Sequence, residues 1–353
     1  MAVSDFDRLL TRNVPHILEK IFFSLDFYSF KKCQEVSRCW NNLLMSESFL
    51  ERGKTMFCED IHIEILSATE NGNIDKIIKL LSSFRVDLNC MSEKYISPLI
   101  KAAKQGHEHV LQLLLDNGAE PNLTNTIYTR TALNYSSLYG NKNVVKILLQ
   151  RGADPNIAAQ NGDTPLYCAA RKGHKDVVQL LLLGGAEPNM ADQNGFTPLH
   201  CAAYIGHKDV VQQLIDLGAE PNIAAQNELT PLHSAAFTGK KDVVQLLLDV
   251  GVEPNIAAQN GRTPLHAATG KDRKDIVQLL LEGGAQPNMA DNDGAAPLHY
   301  AAQKGHKDVA HLLIHGGADP NIAGPNGRTP LAFALEWGHM DVANYLKENG
   351  ATQ

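Results

Sequence analysis

The tetrad Thr-Pro-Leu-His recurs at a fixed step, and a step of this length leaves a chain few ways to fold. Thr164-Pro165-Leu166, Thr197-Pro198-Leu199-His200, Thr230-Pro231-Leu232-His233, Thr263-Pro264-Leu265-His266, Pro297-Leu298-His299 and Thr329-Pro330-Leu331 keep successive prolines 33 residues apart. Such a period marks stacked supersecondary units, each too small to bury its own apolar face. A buried Leu or Val gains about 1.5–3 kcal/mol, against an ordering cost of about 1–2 kcal/mol per residue. One unit alone is therefore unstable, and only its neighbours make it fold. The array presents a long surface, and function lies in what that surface carries.

The unit from Asn161 to Gln193 shows how each copy builds itself. Asn161-Gly162 suits a tight turn with positive φ at its centre, Thr164 caps the following helix, and Pro165 sits at the first helical position, where its missing N–H costs nothing. Ala169-Ala170 keeps this helix thin for close stacking, and Gly173 ends it. Asp176 is expected to cap a second helix, beside a solvated Lys175. Its Val177, Leu180 and Leu181 make the apolar stripe, and Gly184-Gly185 supplies a left-handed exit.

The string Asn-Gly-x-Thr-Pro-Leu-His-x-Ala-Ala-x-x-Gly-His-x-Asp-Val-Val-x-x-Leu-Leu-x-x-Gly-Ala resembles the ankyrin repeat almost letter for letter. Similar units run from Ile61 to Gln353, with weaker copies at Ser97-Pro98-Leu99 and Thr131-Ala132-Leu133, giving about nine repeats. The resemblance implies an all-α solenoid of helix-turn-helix units with β-turn or hairpin loops. The slot filled by Leu149, Leu182, Ile215, Leu248, Leu281 and Ile314 becomes Lys347 in the last unit. That change is expected of a capping repeat, and so of a true C-terminal end.

Before Ile61 the period disappears. Ile17, Leu18, Ile21, Phe22 and Leu25 form a helical apolar stripe, followed by Phe30, Cys33 and Val36, then Trp40, Leu43 and Leu44. Three short amphipathic helices of this size form a core too small to stand alone, which implies a module completed by a partner. The run Val14-Pro15-His16-Ile17-Leu18-Glu19-Lys20-Ile21-Phe22-Phe23-Ser24-Leu25-Asp26, continuing to Val36-Ser37-Arg38-Cys39-Trp40, resembles the F-box. Pro15 lies one residue closer to Ile21-Phe22 than in the usual pattern, and Ser37 stands where that family commonly has Cys. The resemblance implies an F-box-like domain over residues 13–53, after a 1–12 tail and before a short 54–60 junction. It further implies docking on the Skp-type adaptor of a cullin–RING ubiquitin ligase through Pro15, Leu18, Ile21, Phe22, Leu25, Val36 and Trp40. The alternative for these residues is a cap on the N-terminal end of the array.

A net charge of −7 argues against nucleic acid or an anionic membrane as the main partner. The N-terminus lacks a secretory signal, and no apolar stretch approaches a bilayer span, so an intracellular protein of cytoplasm or nucleus is expected. Cys33, Cys39, Cys58, Cys90, Cys168 and Cys201 include no C-x-x-C pair and read as free thiols. The fourteen histidines fall mostly in two repeated slots, which predicts hydrogen bonds between neighbouring loops in place of a metal site. No catalytic motif occurs, so neither catalysis nor a cofactor is expected.

Slots that repeat unchanged serve stacking; slots that differ are free to serve recognition. The differing ones propose a target-binding set of Tyr135, Tyr139, Arg171, Lys172, Phe196, Tyr204, Ile205, Leu229, Phe237, Arg262, Tyr300 and Trp337. Within it, Phe196, Tyr204, Ile205, Leu229 and Phe237 are expected to form an apolar patch flanked by Arg171, Lys172 and Arg262, the makings of a binding hot spot. Glu228 in place of the turn glycine and Gly270-Lys271-Asp272 in place of the usual helix end break the rule beside this patch. Asn156, Asn189, Asn222, Asn255, Asn288 and Asn321 resemble ankyrin asparagines hydroxylated by a 2-oxoglutarate oxygenase, an ordinary loop role being the alternative.

These readings point to a substrate receptor of an SCF-type ubiquitin ligase, monomeric outside the complex, whose target protein is unidentified. The alternatives are an ankyrin scaffold or inhibitor acting without ubiquitin, and a pathogen effector that borrows a host ligase.

Overall fold

The computed structural model describes residues 61–83, 86–89 and 96–352. The module expected over residues 13–53, its adaptor-binding set Pro15, Leu18, Ile21, Phe22, Leu25, Val36 and Trp40, and the 54–60 junction lie outside the described residues. The chain divides into two compact units, Met1–Glu120 and Pro121–Gln353. The first holds helical residues 61–70 with Ile74–Ser83, then Pro98–Gln105 with Glu108–Asp116. The second holds seven pairs, beginning with Ala132–Tyr139 and Lys142–Gln150 and ending with Pro330–Glu336 and Met340–Glu348. Every regular element among the described residues is helical, and no strand is present among them.

In the worked unit, Thr164 Oγ1 accepts the Tyr167 N–H at 3.1 Å, which starts the Pro165–Lys172 helix where the sequence places it. Gly173 closes it in the left-handed region at φ +75°. Three local expectations are corrected. The second helix runs Lys175–Leu183 with His174 at its N-cap, so Asp176 lies in the first turn and makes no cap. Its carboxylate instead accepts from Lys142 Nζ of the preceding repeat at 3.0 Å. In the loop, Gly162 alone has positive φ, not Asn161. At the exit, Gly185 turns left-handed at φ +91° while Gly184 does not. Gly184 is needed for space, because a Cβ there would stand 2.9 Å from Leu149 Cδ1 of the preceding repeat.

First helices pack on first helices and second helices on second helices through the Pro121–Gln353 unit. The paired alanines make this close approach feasible: Ala169, Ala170, Ala202, Ala203, Ala235 and Ala236 are fully buried. Val178, Leu181, Val211 and Leu214 fill the space between the two layers. Lys347 is exposed, while Leu149, in the same slot, is half-buried against its neighbour.

The buried histidines bind one repeat to the next. His200 Nε2 donates to the Leu229 carbonyl at 2.9 Å, and its Nδ1 accepts the Thr197 N–H at 3.1 Å. A carbonyl can only accept, so the ring is neutral with its proton on Nε2. His233 and His266 repeat the arrangement toward Arg262 and Ala295, both at 3.0 Å. Loop-to-loop bonding is therefore what the repeated histidine supplies.

A candidate protein-recognition surface

Two slots at the end of each first helix follow the position of the alanine pair Ala169-Ala170, which is Ser136-Ser137 in the helix ending at Tyr139 and Ala334-Leu335 before Trp337, and their side chains leave the stack. There Tyr139, Tyr204, Ile205, Phe237 and Trp337 are exposed, as is Lys172. Tyr204, Ile205 and Phe237 come together on consecutive, mutually packed helices, which Thr238 ties further by donating from Oγ1 to the Tyr204 carbonyl at 2.9 Å. Lys271 extends the patch with its ammonium 4.6 Å from the centre of the Phe237 ring. Tyr139 and Trp337 sit on the same kind of slot but in repeats remote from this group.

Other members of the expected set also make contacts within the array. Tyr135 is only 7% exposed, and burial raises its hydroxyl pKa above the usual value. Its hydroxyl accepts from Asn125 Nδ2 at 3.4 Å in the loop that precedes its helix, and Arg130 of the same loop lies 5.9 Å from its ring centre. Phe196 is half-buried and edge-on to His200, with ring centres 5.5 Å apart. Leu229 is likewise half-buried.

The flanking arginines are tied in as well. Arg171 Nη1 lies 3.9 Å from Asp163 Oδ2, which also accepts from Arg130 Nη2 at 3.4 Å. Arg262 donates from Nε to Asp291 at 3.3 Å and from Nη2 to the Tyr300 hydroxyl at 2.5 Å. Tyr300 in turn donates to Asp291 at 2.5 Å, and Arg262 lies over its ring at 4.8 Å. Burial opposes charge on Asp291, yet the bonds from Tyr300, the Ala295 N–H and Arg262 outweigh it and hold the carboxyl below its usual pKa. Burial and the same carboxylate push Tyr300 up to about 12. An open cleft of about 540 Å³ lies beside this network, walled by Arg262, His299, Tyr300 and Phe333.

Both irregularities are visible in the backbone. Glu228 adopts φ +61° and Asp272 φ +55°, conformations that cost a residue with a Cβ more than glycine. Asp272 follows Lys271, the cation beside Phe237, and Glu228 lies in the loop that precedes the helix of Phe237. Of the loop asparagines, Asn156 donates to the Gly185 carbonyl at 3.1 Å and accepts the Glu187 N–H at 2.8 Å. Asn189 accepts from Glu220, and Asn255, Asn288 and Asn321 donate to Gly284, Gly317 and Gly350; Asn222 is exposed.

Burial raises the thiol pKa of Cys168 to about 12 and of Cys201 to about 11, leaving both protonated and poor nucleophiles. Among the described residues no group of His, Cys, Asp or Glu side chains could hold a metal ion, and no helix is long and apolar enough to cross a membrane.

Two surface residues escape a slot-by-slot reading. Ile127 and Tyr128, at the tip of the loop before Ala132–Tyr139, are 60% and 56% exposed. The signal that finds them is the length of that loop, one residue beyond its counterparts.

A family model described as Ankyrin repeats (3 copies) matches residues 65–159, 152–225, 206–291, 232–324 and 283–353. Among solved structures, the chain is similar to the ankyrin repeat domain of Bcl-3, described as a unique member of the IkappaB protein family. The two are 29% identical with a TM-score of 0.57, and the match covers 65% of this chain and 99% of that one. No curated protein sequence matches the chain.

Proposed function

The chain belongs to the ankyrin-repeat family, whose stacked helices are protein-interaction scaffolds, and from that premise we propose that it is a substrate receptor of an SCF-type ubiquitin ligase. The repeats hold a target protein, and residues 13–53 dock on the Skp-type adaptor. Catalysis by such a receptor is positioning: it raises the local concentration of target lysines beside a charged conjugating enzyme. The observation that carries target binding is the exposure of Tyr204, Ile205 and Phe237 on adjacent helices beside Lys271, since aromatic side chains with a neighbouring cation dominate protein interfaces. The ubiquitin half rests on the F-box resemblance of residues 13–53.

The test is co-purification of the full chain with the Skp-type adaptor. Wild type is expected to retain the adaptor and Phe22→Ala/Trp40→Ala to lose it. Absence of any wild-type complex, or an undiminished one in the variant, overturns the reading.

The second reading is a scaffold or inhibitor that binds its partner without ubiquitin. It is favoured by the Bcl-3 ankyrin domain, matched over 99% of its length by 65% of this chain. Deleting residues 13–53 separates the two. A receptor loses its effect on target abundance, whereas a scaffold keeps it.

A further inference from the structure

The loops that close each hairpin can be compared one by one. In the six later loops of this kind one backbone bond spans four residues, as from Ala159 N–H to the Asp163 carbonyl or Ala225 N–H to Leu229, and none carries a large apolar side chain like Ile127 or Tyr128 at its tip, as in Gln160-Asn161-Gly162. In the loop before Ala132–Tyr139 the same bond runs from Asn125 N–H to the Arg130 carbonyl at 3.0 Å and spans five. The additional length places Ile127 and Tyr128 in solvent, 60% and 56% exposed. An inserted residue that turns a polar tip apolar raises the cost of solvating the loop and contributes nothing to stacking.

The tip is hydrogen-bonded on both sides despite its exposure. Thr129 adopts φ +49°, a strained conformation for a β-branched residue. It is held there because Asn125, itself buried, accepts the Thr129 N–H at 3.1 Å through its carbonyl and the Arg130 N–H at 2.8 Å through Oδ1. Gln160 of the next loop donates to the Tyr128 carbonyl at 3.0 Å. The Arg130 guanidinium lies 5.9 Å from the ring centres of both Tyr128 and Tyr135 and is anchored on Asp163. Strain retained in an over-determined loop, with its aromatic side chain braced, is preorganisation of the kind binding rewards.

Charge identifies the occupant. Arg130 and Arg171 lie beside the loop on the single buried carboxylate of Asp163, and the exposed Lys172 follows Arg171 on its helix, a local positive excess on a chain of net charge −7. Tyr139, one turn beyond Tyr135 on the same helix, adds an exposed aromatic side chain. We propose that Ile127 and Tyr128, with Tyr139 and the rim of Arg130, Arg171 and Lys172, dock an acidic segment of the partner protein that carries an aliphatic or aromatic side chain. The inference rests on the reading of the chain as a protein-binding scaffold and names the chemistry that scaffold selects. Ile127 gives nucleic acid nothing to pair with, whereas it suits an apolar side chain on a peptide.

The experiment pans a random peptide library displayed on phage against the full chain. The selected peptides are then measured on Ile127→Ser/Tyr128→Ser and on Tyr204→Ser/Phe237→Ser. Expected are sequences rich in Asp and Glu around an aliphatic or aromatic residue, bound about tenfold more weakly by the tip variant and unchanged on the other, as hot-spot truncation implies. The charge reversal Lys172→Glu, on an exposed side chain, is expected to weaken the same peptides and guards against a folding defect at the tip. Basic or uncharged consensus sequences, or peptides indifferent to both the tip and Lys172, overturn the inference. So does a random-sequence DNA duplex that depends on the tip while peptides do not. Peptides that depend on Tyr204 and Phe237 alone overturn it but leave the scaffold reading standing, and failure to select any peptide contradicts both.

Discussion

Thermal unfolding of the chain is expected to shift to lower temperature as pH falls from 7 to 5. His233 is 2% exposed, and burial lowers its pKa to about 4 from an ordinary 6.5. Geometry acts the same way: Nε2 already donates to the Arg262 carbonyl and Nδ1 faces the Thr230 N–H at 3.1 Å, so a second ring proton meets a donor. Because the folded pKa is depressed, the folded histidine stays neutral between pH 6.5 and 4 while the unfolded one takes up a proton. The unfolded state binds more protons in that window, so stability falls as pH falls through it. At pH 5 the linkage amounts to about 2 kcal/mol for His233 alone, roughly 4–8 °C in Tm for a domain of this size. Burial lowers His200, His266 and His299 in the same direction, so their contributions add to it. Calorimetry across this range checks the sign, and His233→Gln is expected to flatten the slope. A midpoint that is level or rises toward pH 5 contradicts the histidine network.

Asp291→Ala is expected to destabilise the chain by about 3 kcal/mol, the scale of breaking a buried ionic network from one side. The Asp291 side chain is 1% exposed, and it accepts from Arg262, from the Tyr300 hydroxyl and from the backbone N–H groups of Asp293 at 3.1 Å and Ala295 at 2.9 Å. Removing it strands donors contributed by two successive repeats. Stability in such an array is carried by nearest-neighbour interfaces, so the loss is expected to reduce cooperativity as well as the midpoint. Asp291→Asn keeps the shape and an acceptor and is expected to lose less. Urea denaturation of the three proteins checks the order, and Asp291→Ala matching wild type rules the network out as a source of stability.

What could be read from the sequence was whatever the 33-residue step repeats. The cap at Thr164, the left-handed close at Gly173 and the loop-bonding histidines follow from identical residues in identical slots. What the step does not show is chemistry that reaches across it. Arg262 and Tyr300 vary between repeats as recognition residues do, yet they vary together because Asp291 lies between them. Tyr135 varies for a similar reason, being held in place by Asn125 and Arg130 of its own loop. Asp176 resembles a cap in sequence, but the N-cap is His174, two residues earlier, which frees the Asp176 carboxylate for Lys142. Ile127 and Tyr128 went unnoticed because an inserted residue has no slot to be compared in.

The central claim is that one chain joins a protein-binding surface to a ligase-docking module, and proximity labelling in cells tests it most directly. The full chain is compared with Phe22→Ala/Trp40→Ala and with Tyr204→Ser/Phe237→Ser. Two separable sets of neighbours are predicted: cullin–RING components lost only in the first variant, and a further set lost only in the second. A single set of neighbours that survives both substitutions, or one in which no ligase component is labelled by the wild-type chain, contradicts it.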